Sequence, residues 1–170
     1  MYEVATQEIP ERSLLCLKRN ADAQGVWDLG KEFIAILRER PLPKIEGREG
    51  AWFLIYWGEV SADSDGPVEC CKPVPRAEAH ALAEHYPELT LRTEPAHSEA
   101  FVALGPATAV TAAKWQLAFE ALLAWKVEQG IEDERLTLKP EDLGLRLTYL
   151  ATGPAAATSG PDCDLAAPFA

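Results

Sequence analysis

AWFLIYWGEVSADSDGPVECCKPVP, residues 51–75, reads as a β-hairpin. Trp52 to Trp57 form a short apolar run dense in aromatic and branched side chains, which fit a pleated surface. SADSDGP at 61–67 is a turn, with Asp65-Gly66 tolerating positive φ. VECCKPV at 68–74 returns as the second strand. Alternation places Trp52, Leu54 and Tyr56 on one face and Phe53, Ile55 and Trp57 on the other. A strand apolar on both faces packs a helix on one. Its other face meets a second layer or lines a pocket.

Working outward, the same grammar appears twice. Before the hairpin, a strand broken near Pro10 resumes at Ser13–Leu17, and a helix follows at 26–40 with Trp27, Phe33, Ile34 and Leu37 in helical spacing. After it comes a short helical segment at 77–85, then a strand broken at Pro95, then the helix 109–129 carrying Trp115, Phe119, Leu122, Leu123 and Val127. A last strand pair is expected at 136–139 and 145–150. WDLGKEFIAIL from Trp27 aligns with WQLAFEALLAW from Trp115. The prolines lie 85 residues apart and the tryptophans 88, so the landmarks keep step. The expected architecture is α+β: a duplicated βαββ unit, mainly antiparallel, with two helices on one side. A single domain spans 1–152, with repeats at about 1–75 and 88–152. The Pro-, Ala- and Gly-rich tail 153–170 reads as disordered.

Composition narrows the function. A chain of 170 residues with 48% hydrophobic content supports a real core. The net charge of −11 opposes phosphate backbones, so no direct nucleic-acid binding is expected. No apolar run reaches the roughly 18 residues that span a bilayer, and the N-terminus has no signal-peptide pattern. Cytoplasmic residence follows as the expectation. Cys70 and Cys71 are adjacent on a strand and point to opposite faces, which suits neither a shared metal nor a mutual disulfide. No metal site and no cofactor is expected.

The doubled βαββ order, the segment DSDGPVECCKPV at 63–74 and the proline-led strand TEPAHSEAFVALG at 93–105 resemble the GyrI-like small-molecule-binding family. That family also supplies the effector-binding domains of AraC-type and MerR-type regulators. The resemblance covers about residues 1–152. It implies a pocket between pseudo-symmetric halves, lined by aromatics and often holding a buried glutamate that receives cationic drugs. That glutamate usually stands two residues before a tyrosine in the last strand; here Leu147 stands two residues before Tyr149. Glu69, on the matching strand of the first half, is the nearest substitute.

The expected ligand contacts are Trp27, Tyr56, Trp57, Glu69, Trp115 and Tyr149. Each aromatic has a core-packing reading beside the ligand-stacking one. Glu69 is read either as a solvent-facing edge residue or as a pocket group, with Arg146 as a salt-bridge partner in a purely structural alternative. His97 in EPAHSE reads as a surface histidine, and no GxSxG elbow accompanies it. The leading function is a stand-alone binding protein for a planar aromatic or amphiphilic molecule, in sequestration or effector sensing. The alternative is a hydrolase of cyclopropane-bearing antibiotics in the same pocket, with Glu69 moving the proton. A regulatory module with a protein partner is the third reading.

Overall fold

A computed structural model describes residues 2–131, 144–150 and 162–169. The strands are β1 (Ala5–Ile9), β2 (Arg12–Ala21), β3 (Phe53–Tyr56), β4 (Gly66–Val74), β5 (Thr90–Glu94), β6 (His97–Pro106), β7 (Arg146–Leu150) and β8 (Asp162–Phe169). The helices are α1 (Ala23–Arg38), α2 (Ala79–His85) and α3 (Ala112–Glu128). The chain divides into two compact units, one from Pro10–Ala96 and one from Met1–Ile9 with His97–Ala170. The fold is α+β, and the described strand pairs in both units are antiparallel.

In the unit Pro10–Ala96 the strands run β3-β4-β2-β5. The hairpin forms as its sequence predicts, with Phe53 opposite Cys71 and Ile55 opposite Glu69. β2 is the long central strand, pairing β4 through Cys16 opposite Cys71 and β5 through Leu14 opposite Arg92. Helix α1 lies on the Trp52–Leu54 face, where the Phe33 ring sits 6.0 Å from Trp52. Asp22 caps α1 by accepting from the Gly25 amide at 2.7 Å. Asp22→Ala should therefore cost about 1 kcal/mol in chemical denaturation.

In the other unit the order is β1-β6-β8-β7. Strand β6 carries a bulge between Ala103 and Gly105, where Gly105 adopts φ +82°. Helix α3 packs on the Ser98–Ala100–Val102 face, and its Trp125 meets Phe169 with ring centroids 5.5 Å apart. The two orders match when read from β5 and from β1. Thus β2, β4, β3 and α1 correspond to β6, β8, β7 and α3. The Tyr149 strand therefore matches β3, not the Glu69 strand that the sequence paired it with, and β8 takes that place. A second detail departs from the expected duplication: each repeat's leading strand pairs in the other repeat's unit, β1 with β6 and β5 with β2.

Asp162–Phe169 were expected to belong to a disordered tail, but they form β8, paired on both edges. Pro168 sits near the strand's end, and Cys163, Leu165 and Ala167 alternate onto the α3 face, all buried. Small side chains suffice there because the strand is central. The strand expected at 136–139 and tail residues 153–161 lie outside the described residues.

Burial pushes the Cys163 thiol up to about 11, helped by the negative charges of Asp164 and Asp162. A thiol held protonated in the native state but ionising near its ordinary value of 9.0 when unfolded loses stability as pH rises between those limits. Cys163→Ala should remove a slope of about 1 kcal/mol per pH unit in that window, read from urea midpoints at pH 9 and pH 10.

Candidate functional site

The face of the hairpin opposite α1 carries Leu14, Cys16, Phe53, Ile55 and Cys71 as a buried apolar cluster, with Trp57 packed against it. Glu69 projects onto this face, two residues before Cys71 on β4. Its side chain is 8% exposed, whereas that of Arg92, reaching it from β5, is 30% exposed. Arg92 donates from Nη2 to Glu69 Oε1 at 2.7 Å and from Nε to Oε2 at 3.2 Å. Trp57 Nε1 donates to Oε1 at 3.2 Å. Both carboxylate oxygens are thus engaged by a fork and an indole edge. Burial acts to lower the Arg92 guanidinium, but the hydrogen bond to Glu69 and the surrounding negative potential outweigh it, and its net shift is upward. Lys18, opposite Glu69 on β2, places its ammonium 5.8 Å from the Trp57 ring centroid.

This arrangement offers an aromatic ring, an ion pair open at its arginine end and apolar strand residues within one sheet face. Glu69 is no solvent-facing edge residue, and its partner is Arg92 rather than Arg146. Beside it, Arg12 makes a second pair of the same kind. Its Nη2 lies 2.8 Å from Glu94 Oε1, its Nη1 donates to the Glu49 carbonyl, and its guanidinium rests 4.6 Å from the Phe53 centroid.

The other unit repeats the theme. On the β6 face opposite α3, His97 Nε2 lies 3.0 Å from Glu99 Oε1, and Arg146 Nη1 lies 3.4 Å from the same oxygen. Arg146 Nε donates to the Gly144 carbonyl at 3.2 Å. His97, read from sequence as a surface group, is buried, as are Glu99, Arg146, Thr148 and Asp164. Registers equate Cys71 with Ala166, so Asp164 is the pseudo-equivalent of Glu69. Leu147, in the position where the family's glutamate was sought, faces α3 instead.

Of the six expected contacts, the structure brings Trp57 and Glu69 together. Trp27 is 51% exposed on α1. Tyr56 alternates onto the α1 face. In the other unit, Tyr149 alternates onto the α3 face, and Trp115 stacks on Phe119 within α3 at 5.5 Å. Sequence reasoning missed Arg92 and Glu99. Arg92 carried no local signal, standing between Leu91 and Thr93 in a short strand.

No family model matches the chain, and no curated protein matches it. Solved structures do. A crystal structure of the EcmrR C-terminal domain superposes with a TM-score of 0.64 at 15% identity, covering 99% of this chain and 97% of that one. SAV2435 bound to tetraphenylphosphonium gives 0.59 at 14% identity, covering 98% and 93%. A hydrolase from Listeria innocua gives 0.56 at 12% identity, covering 99% and 92%. The chain shares their fold, which agrees with the GyrI-like resemblance read from its sequence. Among the described residues, no helix is long and apolar enough to cross a membrane.

Proposed function

We propose that this chain is a binding module for a small planar aromatic or amphiphilic molecule, serving effector sensing or sequestration. One observation carries the reading: Trp57 and the Glu69–Arg92 pair share the sheet face opposite α1. A ring stacks on the indole, and polar substituents meet the solvent-reachable guanidinium. The fold is that of SAV2435, whose complex holds tetraphenylphosphonium, and of the EcmrR C-terminal domain.

Binding is favoured over hydrolysis by the same geometry. Three of the about four lone-pair positions of the Glu69 carboxylate already accept from Arg92 and Trp57, which leaves it poorly placed to relay a proton to or from water. Titration with planar aromatic compounds should quench tryptophan fluorescence, and the compounds should return with unchanged mass. Trp57→Leu should weaken binding about tenfold, the loss of one stacked ring. Recovery of a compound with the mass of water added, at substoichiometric protein, would replace this reading with the hydrolytic one.

A further inference from the structure

Cys16 and Cys71 are directly opposed on β2 and β4, and their sulfurs lie 3.5 Å apart. Glu69, two residues along β4 on the same face, brings a carboxylate oxygen within 4.8 Å of both sulfurs. All three side chains are buried. From this convergence we infer a binding site for a thiophilic divalent d10 cation of the zinc class, held by Cys16 Sγ, Cys71 Sγ and Glu69. It is a second use of this face and does not rest on the small-molecule reading.

Distance is the first argument. Two thiolates at about 2.3 Å from a tetrahedral ion stand about 3.8 Å apart, so the observed sulfur separation needs only a few tenths of an ångström of opening. Sheet pairing fixes the two β-carbons side by side, and the donors are therefore preorganised rather than gathered on binding. Cys70, the neighbour in sequence, points to the α1 face and takes no part.

Charge selects the ion. The Glu69–Arg92 pair and two thiols sum to zero net charge. A divalent ion displaces both thiol protons to solvent, and the cluster of dication, two thiolates, carboxylate and guanidinium again sums to zero. A monovalent ion held by both thiolates would leave one buried negative charge uncompensated, which is costly. Arg92 is the competitor, since it occupies both Glu69 oxygens. Its side chain is 30% exposed and can release the carboxylate oxygens while staying beside the cluster, so its charge still counts when Glu69 turns to the ion.

The test is anaerobic titration of the reduced full chain with Co2+ as the optical probe, followed by Zn2+ displacement. One Co2+ per chain should bind with thiolate-to-cobalt charge-transfer absorption, which Zn2+ abolishes. Cys16→Ser and Cys71→Ala should lose the absorption while keeping native circular dichroism, and Cys163→Ser in the other unit should keep it. Arg92→Gln should tighten binding about tenfold or more, because it leaves the buried Glu69 carboxylate without its guanidinium. Absence of charge transfer in the folded wild-type chain would overturn the inference. So would its persistence in either Cys16→Ser or Cys71→Ala, or an unchanged affinity in Arg92→Gln. None of these readouts involves a small organic ligand, so failure here is separable from failure of the binding-module reading.

Discussion

Arg12→Met should lower the unfolding free energy by about 3–5 kcal/mol, the largest loss expected from any substitution considered. The methionine keeps most of the stem packed beside Phe53, so the loss isolates the guanidinium. That group serves three partners at once: Glu94 through Nε and Nη2, the Glu49 carbonyl through Nη1, and the Phe53 ring face. Glu94 is fully buried, and taking away Arg12 leaves a buried carboxylate without the guanidinium that offset its desolvation. The double variant Arg12→Met/Glu94→Leu should recover most of the loss, since a buried pair replaced as a unit by apolar groups is close to neutral. Urea denaturation of the wild type, both single variants and the double variant closes the cycle. A double variant as unstable as the worse single one would show that the pair acts through packing rather than charge.

The same pair shows where sequence reading reaches its limit. Arg12 and Glu94 are 82 residues apart, and nothing local marks them as partners. They meet because β2 pairs with β5 in a register that sets Arg12 opposite Glu94. Register is set by the whole sheet, and in this fold the leading strand of each repeat joins the other repeat's unit. Arg92 escaped notice for the same reason, and Arg146, read from sequence as a partner for Glu69, pairs with Glu99 instead. What was legible was periodic or local. The hairpin followed from its aromatic run, although Gly66 begins β4 rather than turning with positive φ, and the split of Trp57, Phe53 and Ile55 onto one face followed from alternation. Both long helices were legible in extent, but their buried faces run through Val26, Leu29, Phe33 and Ile36 and through Ala118, Leu122 and Lys126, leaving the expected Trp27 and Val127 exposed. The duplication followed from landmarks in step. β8 was illegible because the usual strand signal is branched and aromatic residues. CDLAAPF carries little of that signal and lies in a tail rich in alanine and proline. A central strand covered on both edges needs small, buried side chains more than intrinsic strand preference.

Arg92→Leu should change which ligands this protein accepts. In the wild type, Glu69 spends its carboxylate on Arg92 and Trp57, so a cationic aromatic compound must displace a bidentate guanidinium before reaching it. That displacement sets a cation no better than its neutral analogue. With leucine at 92, the Trp57 indole N–H remains on a carboxylate that is 8% exposed in the wild type. The variant should lose about 2–4 kcal/mol of stability, within the range for breaking a buried pair but moderated by Arg92's own contact with solvent. A cation stacked on Trp57 then restores the missing charge, and part of that lost stability returns as binding energy. Cationic aromatic compounds should bind Arg92→Leu at least tenfold more tightly than the wild type, about 1.4 kcal/mol. Neutral analogues of the same shape should be unaffected. Glu69→Gln makes the opposite case: its amide still accepts from Trp57, Arg92 swings toward water at little cost, and cations gain nothing. Paired titrations of a cationic compound and its neutral analogue against the three proteins read this directly. Equal affinity of the cation for Arg92→Leu and wild type would mean that Glu69 does not face the ligand.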